Sequence, residues 1–474
     1  MNAPTDPAHL VPTVAQRTVP AALIDALRER FGAQLSTAQA VREQHGRDES
    51  PFAVPPPAAV VFAESTQDVA DAVALAARHA VPVIPFGAGS SIEGQLLAVQ
   101  GGISIDVNRL NRVLAVHAEN LTVTVQPGVT RKQLNEELRH QGLFFPIDPG
   151  ADASIGGMAS TRASGTNAVR YGTMRENVLA LEIVTAAGEV VRTGTLARKS
   201  SAGYDLTRLI VGSEGTLGVV TEVSLRVYPL PEAISAAVCS FPSIEAAVRT
   251  TIAVIQVGVP IARVELLDAN TVRMVNAHSK LGLREEPMLL MEFHGSPTGV
   301  KEQAELVQEL AADHGGNDFE WAHTPEERTR LWTARHNAYF AGVQSRPGCR
   351  VVTTDVCVPI ARLADAVLLA VAEAEAAGLP YFLVGHVGDG NFHMGYLIDP
   401  ASDAERTVAE RLNHALVERA IAAGGTCTGE HGIGLHKMAF LPAEAGAGAV
   451  ELMRTIKRAL DPQNIMNPGK IFAL

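Results

Sequence analysis

Cysteine is scarce in this chain of 474 residues, which has only four. Cys239, Cys349, Cys357 and Cys427 lie far apart, and no two of them form a C-x-x-C pair. This spacing excludes an iron–sulfur cluster held by cysteines of this chain. It is typical of reduced thiols in a cytosolic protein, and we therefore expect a cytoplasmic location.

Excess positive charge and long apolar runs are also missing. The formal net charge of −12 argues against a nucleic-acid partner and against binding to an anionic membrane surface. No stretch approaches the roughly 18 uninterrupted apolar residues of a spanning helix, and residues 1–17 do not resemble a secretory signal. We expect a soluble protein, with peripheral membrane association through a partner left open.

The length of the chain and the positions of its prolines predict several domains. A chain of this length exceeds a single core, and 47% hydrophobic residues are enough to bury more than one. Prolines at 55–57, and at 229 and 231, mark breaks. We predict a helical segment over 1–50, a first domain over 51–230, a second over 231–457, and a tail over 458–474 that returns to the first domain. The second domain alternates strand-like runs with amphipathic helices, which indicates an α+β layout rather than a parallel doubly wound sheet.

The first glycine loop, residues 85–94, follows an apolar strand predicted over 81–86. Its spacing does not fit a dinucleotide-binding Rossmann motif, because Ile92 stands where the third glycine belongs and no helix follows. Closely spaced glycines and serines can still bring backbone N–H groups up to phosphate oxygens. A plain turn is the other interpretation of this loop by itself.

Two further loops repeat the pattern in the same domain. In the second glycine loop, residues 149–159, Ser154 is a good N-cap and Gly156 and Gly157 fall in the first helical turn, which suits an anion. The third glycine loop, residues 212–220, again precedes a strand. Three such loops in one domain favour a large cofactor that carries phosphate.

A histidine pair in the second domain suggests a metal site. If Asp389-Gly390 is the two-residue turn of a hairpin, His386 pairs directly with His393, with Cβ atoms about 5 Å apart on one face. Glu430 and His431 follow in a glycine-rich strand or turn. Two imidazoles and one carboxylate would leave a divalent ion with open positions, as in a catalytic site. Two alternatives stay open: a hydrogen-bonded histidine pair without metal, and a purely structural metal.

The three loops, with Tyr204-Asp205-Leu206 before the third, resemble the FAD domain of the vanillyl-alcohol-oxidase (PCMH-type) superfamily over residues 54–229. The resemblance implies two α+β subdomains that clamp FAD. The FAD should be non-covalent, because no histidine stands in the first loop, where covalent members attach the flavin. The cofactor-binding residues that it implies are Pro85, Gly87, Ala88, Gly89, Ser90, Ser91, Gln95, Pro149, Gly150, Ala153, Ser154, Gly156, Gly157, Ser160, Gly165, Tyr171, Gly172, Glu214, Gly215, Gly218, Val219, Val220 and Asn467.

The C-terminal motifs resemble the FAD-linked oxidase domain of D-2-hydroxy-acid dehydrogenases. They are Leu331-Trp332 with Arg335-His336, residues 354–359, both histidine motifs and Asn467-Pro468-Gly469-Lys470. The resemblance implies a ferredoxin-like cap domain with an antiparallel sheet. It also implies Zn²⁺ or Mn²⁺ held by His386, His393 and Glu430, with His431 as the base.

Substrate binding is implied for Arg335, Arg350, His386, His393 and His431. Arg335 would bind the substrate carboxylate bidentately, which suits a guanidinium. Arg350 stands where relatives often carry lysine, so a plain surface charge is its alternative. For His431 the alternative is a residue that only orients Glu430.

These parts fit the oxidation of a D-2-hydroxy acid, first of all D-lactate, with glycolate or D-2-hydroxyglutarate as alternatives. The metal would polarise the hydroxyl, His431 would take its proton, and a hydride would pass to flavin N5. No nicotinamide motif is present, so a quinone, a cytochrome or an electron-transfer flavoprotein would accept the electrons. An oxygen-using oxidase and an electron-relay subunit are the rival functions, and the sequence admits a homodimer without deciding it.

Overall fold

The computed structural model describes residues 16–322 and 324–474, so the first part of the predicted segment 1–50 lies outside the described residues. The chain divides into two compact units. Unit 1 comprises Met1–Ser164, Gly172–Leu230 and Glu430–Leu474, and unit 2 comprises Gly165–Tyr171 and Pro231–Gly429.

The helices and strands up to residue 230 are, in chain order, α1 (Ala21–Phe31), β1 (Leu35–Ser36), α2 (Gln39–Gln44), β2 (Ala59–Phe62), α3 (Thr66–Arg78), β3 (Val83–Phe86), β4 (Ile103–Asp106), β5 (Val113–His117), β6 (Thr122–Val125), α4 (Arg131–Arg139), β7 (Leu143–Phe144), α5 (Ile155–Thr161), α6 (Ala168–Tyr171), α7 (Met174–Asn177), β8 (Val178–Val184), β9 (Val190–Gly194), α8 (Leu206–Ile210), β10 (Val219–Arg226) and β11 (Tyr228–Pro229).

From residue 231 they are β12 (Ala233–Ser240), α9 (Ile244–Gln256), β13 (Ile261–Leu267), α10 (Ala269–Ser279), β14 (Met288–Gly295), α11 (Pro297–Asp313), β15 (Asn317–Ala322), α12 (Pro325–His336), α13 (Ala338–Ser345), β16 (Arg350–Thr353), β17 (Val356–Cys357), α14 (Leu363–Ala377), β18 (Tyr381–His386), β19 (Asn391–Ile398), α15 (Asp403–Ala422) and α16 (Leu441–Leu460).

Unit 1 is built on two larger sheets with separate cores, and β7 and β11 pair in a third, two-stranded sheet. The first has the order β1-β2-β4-β3, with β2 and β3 both parallel to β4. The second has the order β5-β6-β10-β8-β9 and is antiparallel. Helix α3 begins after Ser65, whose hydroxyl accepts a hydrogen bond from the Asp68 N–H, and its Val69, Val73 and Ala76 are buried in the first core. The first glycine loop leads from β3 to β4 with no helix between them, as the sequence predicts.

Unit 2 is an α+β unit with one antiparallel sheet. The strands follow the order β15-β12-β14-β13-β18-β19-β16, and β17 also pairs with β19. Its helices include α9, whose apolar face buries Ala247, Val248 and Val254. Strands β16 and β17 are separated at Thr354-Asp355. At this break the Thr354 carbonyl accepts a hydrogen bond from His393, and the Asp355 side chain accepts one from Asn391.

The second domain ends earlier than the sequence suggests. Its predicted end is residue 457, whereas unit 2 ends at Gly429 and residues 430–457 belong to unit 1. The physical reason is a set of hydrogen bonds within unit 1. Gln95 donates to the His431 carbonyl, and Glu214 accepts from the Ile433 and Gly434 N–H groups.

Candidate active site

The hairpin that carries the two histidines in unit 2 has a different register from the predicted one. His386 pairs with Asn391, and Val384 pairs with His393, because residues 387–390 form a four-residue turn. The direct pairing of the two histidines is therefore wrong. The shift is two residues, so both histidines still lie on one face of the sheet. Their ring centroids are 5.4 Å apart.

Glu265, a residue that the sequence did not point to, orients His386. Leu266 of β13 pairs with Gly385 of β18, and one more step in this register places Glu265 beside His386. The Glu265 side chain is fully buried, and its Oε1 lies 2.6 Å from His386 Nδ1. Burial raises the pKa of Glu265, but His386 and Arg335 outweigh this effect and hold the pKa below its ordinary value. An ionised carboxylate accepts a hydrogen bond from the Nδ1–H, so the imidazole lone pair is on Nε2.

Arg335 shares the same carboxylate. It lies in the last turn of α12, and its Nε donates to Glu265 Oε2 at 2.6 Å. This bond uses one side of the guanidinium, so the end that carries the two terminal nitrogens can still form a bidentate pair with a carboxylate. Arg350 is exposed at the start of β16, and no described side-chain contact joins it to Arg335 or the histidines.

His393 is oriented by the break between β16 and β17. Its Nδ1 donates to the Thr354 carbonyl at 3.0 Å, and because a carbonyl can only accept, the lone pair is again on Nε2. Asp355 Oδ1 lies 3.8 Å from the same Nδ1 and also accepts from the Asn391 side chain at 3.0 Å. Both histidines thus have the Nε2 lone pair that a metal ligand needs, with Nδ1 held by the protein.

Gly429, the last residue of unit 2, lies against this hairpin. A Cβ atom at Gly429 would be 2.2 Å from Asn391 Nδ2 and 3.1 Å from Asp355 Oδ1. Only glycine allows the chain to approach so closely. The residue that follows it in the chain is Glu430.

The three glycine loops meet in unit 1. A Cβ atom at Gly87 would lie 2.5 Å from Ser154 Oγ, and one at Gly215 would lie 3.0 Å from the Pro85 ring. The Glu214 N–H donates to the Ser160 carbonyl at 2.8 Å. The three loops therefore lie next to one another, as a cofactor that contacts all three requires.

Ser154 provides a test of whether this surface fits a phosphate-bearing cofactor. Its Oγ is buried and has no hydrogen-bond partner among the described residues, and it does not cap α5. A buried hydroxyl without a partner costs free energy, which a bound acceptor would recover. The residues present therefore fit the implied FAD.

The other residues predicted to bind the cofactor are divided between the two units. In unit 1, Ala88, Gly89, Ser90 and Ser91 lie in the first loop, Gly150 is exposed, Val219 and Val220 are buried in β10, and Asn467 donates to the carbonyls of Gln95 and Glu214. Gly165 and Tyr171 belong instead to unit 2. There the Tyr171 hydroxyl bonds His294 Nδ1 at 2.8 Å.

His431 lies in unit 1, in a bend rather than a strand. His431 Nε2 lies 4.0 Å from Glu430 Oε1. The other ring nitrogen, Nδ1, lies 3.5 Å from Glu93 Oε1. The imidazole thus stands between two carboxylates, one of them from the first glycine loop.

Sequence reasoning assigned no role to four residues that contact these side chains: Glu93, Glu265, Thr354 and Asp355. Glu93 and Glu265 are buried acidic residues in apolar surroundings, which is the one signal that could have pointed to them. Nothing local indicates their partners, since Glu265 and His386 are 121 positions apart.

Two protein families match the chain. A model of FAD-binding domains matches residues 57–194, and a model of the C-terminal domain of FAD-linked oxidases matches residues 230–471.

Curated relatives are similar over nearly the whole chain. A probable mitochondrial D-lactate dehydrogenase of Danio rerio is 49% identical over 93% of this chain and 89% of its own length. The mitochondrial D-lactate dehydrogenase (cytochrome) of Arabidopsis thaliana is 45% identical over 96% of this chain and 81% of its own. The glycolate oxidase subunit GlcD of Bacillus subtilis is 34% identical over 88% and 89%.

Solved structures share the fold. The 4-ethylphenol oxidase from Gulosibacter chungangensis aligns with a TM-score of 0.77 over 97% of this chain and 99% of its own, at 18% identity. Within the described residues no helix is long and apolar enough to cross a bilayer.

Proposed function

The chain belongs to the FAD-linked oxidases, in the group that includes the D-lactate dehydrogenases, and from this we propose that it oxidises D-lactate to the 2-oxo acid. The observation that carries the proposal is the buried histidine pair of unit 2, with each Nδ1 fixed and each lone pair on Nε2. Bound FAD would accept the two electrons, and a divalent ion would act as a Lewis acid on the hydroxyl.

We propose that FAD binds non-covalently to the three glycine loops of unit 1. The support is the close approach of Gly87 to Ser154 and the buried Ser154 hydroxyl without a partner. The first loop contains no histidine for a covalent bond to the flavin.

For the ion, Zn²⁺ or Mn²⁺, we propose His386, His393 and Glu430 as ligands. Two imidazole nitrogens and a carboxylate oxygen suit both ions and leave positions for substrate. We include Glu430 among the ligands because the residue before it, Gly429, packs against Asn391 and Asp355 beside the histidines.

Different side chains of the protein would bind the substrate and take its proton. Arg335 would bind the carboxylate of D-lactate through its two terminal nitrogens, while Glu265 holds its Nε. His431 would take the hydroxyl proton on Nε2, the nitrogen away from Glu93. Arg350 is exposed, and its part in substrate binding rests on the family resemblance alone.

We propose a non-nicotinamide electron acceptor, a quinone, a cytochrome or an electron-transfer flavoprotein, and a cytoplasmic location. Cys239, Cys349 and Cys357 form no disulfide among the described residues, which agrees with a reducing compartment. Activity with an artificial dye but little with oxygen would separate a dehydrogenase from an oxidase.

The test replaces His386 or His393 with alanine in the full chain. We expect metal content and the anaerobic bleaching of flavin by D-lactate to be lost while FAD stays bound, because the glycine loops are untouched. His414→Ala is the matched control, since its side chain is 57% exposed on α15 of the same unit. L-lactate and glycolate, offered at equal concentration, should bleach the flavin more slowly than D-lactate.

Two results would contradict the proposal. Fully active enzyme with well under one metal ion per chain would exclude the metal. Unfolding of the parent protein by a chelator, rather than loss of activity in a folded protein, would make the ion structural.

A further inference from the structure

The Glu93 carboxylate is a buried charge at the end of the first glycine loop. Its side chain is 3% exposed and contacts three side chains of unit 1 within residues 431–437. Oε1 lies 3.5 Å from His431 Nδ1 and 3.0 Å from Lys437 Nζ, and Oε2 lies 2.8 Å from His436 Nδ1. The Glu93 carbonyl also accepts a hydrogen bond from the Leu435 N–H at 2.8 Å.

This carboxylate is ionised at working pH. Burial raises the pKa of Glu93, but Lys437, His431 and His436 outweigh that effect, so the pKa lies well below its ordinary range. Lys437 is itself 3% exposed, and one buried cation is enough to compensate one buried carboxylate. The contact with His431 is therefore additional to what charge balance requires.

The contact with Glu93 determines which nitrogen of the His431 imidazole carries the proton. A carboxylate beside Nδ1 favours the tautomer with the proton on Nδ1 and the lone pair on Nε2. Nε2 is the nitrogen that points toward the Glu430 side, at 4.0 Å from its Oε1. We infer that Glu93 is a positioning residue for His431, which holds the ring and its tautomer so that Nε2 can accept the substrate proton. The inference rests on the proposed role of His431 as the base.

Further contacts connect the segment that carries His431 to the loops proposed to bind FAD. Gln95, two residues after Glu93, donates to the His431 carbonyl at 2.8 Å. Glu214 of the third loop accepts from the Ile433 N–H at 2.7 Å. Gln95 directly follows the first loop and Glu214 belongs to the third, so residues 431–434 are held beside the loops proposed to bind FAD. The same part of unit 1 would therefore position both the base and the flavin.

The experiment compares Glu93→Gln, His431→Ala, their combination, and Glu93→Gln with Lys437→Met in the full-length holoenzyme. FAD content, metal content and unfolding temperature are measured beside the rate of anaerobic flavin reduction by D-lactate. We expect Glu93→Gln to lower that rate about 10- to 100-fold at saturating substrate, with KM changed less than about threefold and FAD retained. Adding Lys437→Met removes the uncompensated buried cation, and should restore the unfolding temperature without restoring the rate.

The combination with His431→Ala tests whether Glu93 acts through the imidazole. If it does, Glu93→Gln slows the His431→Ala variant by less than about twofold, since effects of coupled residues do not add. A full additional loss, or recovery of the rate when Lys437→Met restores stability, would show that Glu93 has only a structural role. If His431→Ala itself reduces flavin at the parent rate, the proposed base is wrong. A slow His431→Ala with a fast Glu93→Gln would overturn the inference on Glu93 alone.

Discussion

At the scale of single residues, unit 2 is organised around one carboxylate. Glu265 is fully buried and contacts both His386 and Arg335, each at 2.6 Å. One anion thus orients a proposed metal ligand and the proposed substrate-binding cation. Replacement of a partner that orients a metal-bound histidine typically costs about 10- to 100-fold in metal affinity or activity.

Glu265→Gln tests this arrangement. We expect metal affinity to fall about 10- to 100-fold and KM for D-lactate to rise, because both His386 and Arg335 lose their charged acceptor. Metal titration and steady-state kinetics measure the two effects.

Glu292→Gln is the matched control for this variant. Glu292 is a buried carboxylate of the neighbouring strand β14, and it contacts His294 at 2.8 Å and Arg263 at 3.5 Å. It should lose stability but keep its metal affinity. Equal metal loss in both variants would mean that the effect is general destabilisation of the sheet.

At the scale of elements, α3 shows how a local signal and a distant partner combine. The Ser65 cap is readable from the sequence, whereas the contact of Asp68 with Arg30 of α1, at 2.9 Å, is not. Burial raises the pKa of Asp68, but hydrogen bonds from the Glu64 N–H, Gln34, Ser65 and Arg30 outweigh it, so the pKa lies below its ordinary value.

Asp68→Asn should lower the free energy of unfolding by about 1 kcal/mol at neutral pH. Because the folded-state pKa is lowered, the stabilisation by Asp68 is complete above the ordinary value of about 4 and is lost as pH falls through the folded value. The difference between parent and variant in urea unfolding should therefore shrink only below about pH 4.

Asp71→Asn is the control for the same helix, since Asp71 contacts the same Arg30 at 2.6 Å but is 31% exposed. It should change stability by less than about 0.5 kcal/mol at any pH. An Asp68→Asn effect that does not depend on pH would refute the contribution of its charge.

At the scale of the whole molecule, the net charge of −12 gives no overall attraction for an anionic substrate. Binding of D-lactate then depends on local cations such as Arg335, which is 18% exposed in unit 2. The cofactor surface likewise belongs to one unit, since the first, second and third glycine loops all lie in unit 1.

Acid unfolding of the holoenzyme should release all of its FAD. No histidine stands in the first glycine loop to form a covalent bond, so loss of the folded loops removes every contact. After acid precipitation the yellow colour should be in the supernatant, and chromatography should identify it as FAD. Colour that stays with the protein pellet would show a covalent flavin.

The sequence by itself determined the α+β class, the three glycine loops, and the face of the sheet on which both histidines lie. These follow from local patterns, because side chains alternate along a strand and an even shift in register keeps both histidines on the same side. Only the tertiary structure decided that His386 meets Glu265, that His393 meets Thr354, and that residues 430–457 belong to unit 1. Those contacts depend on which strands and loops become neighbours after folding, and the local pattern around a buried glutamate contains no information about a partner more than a hundred residues away.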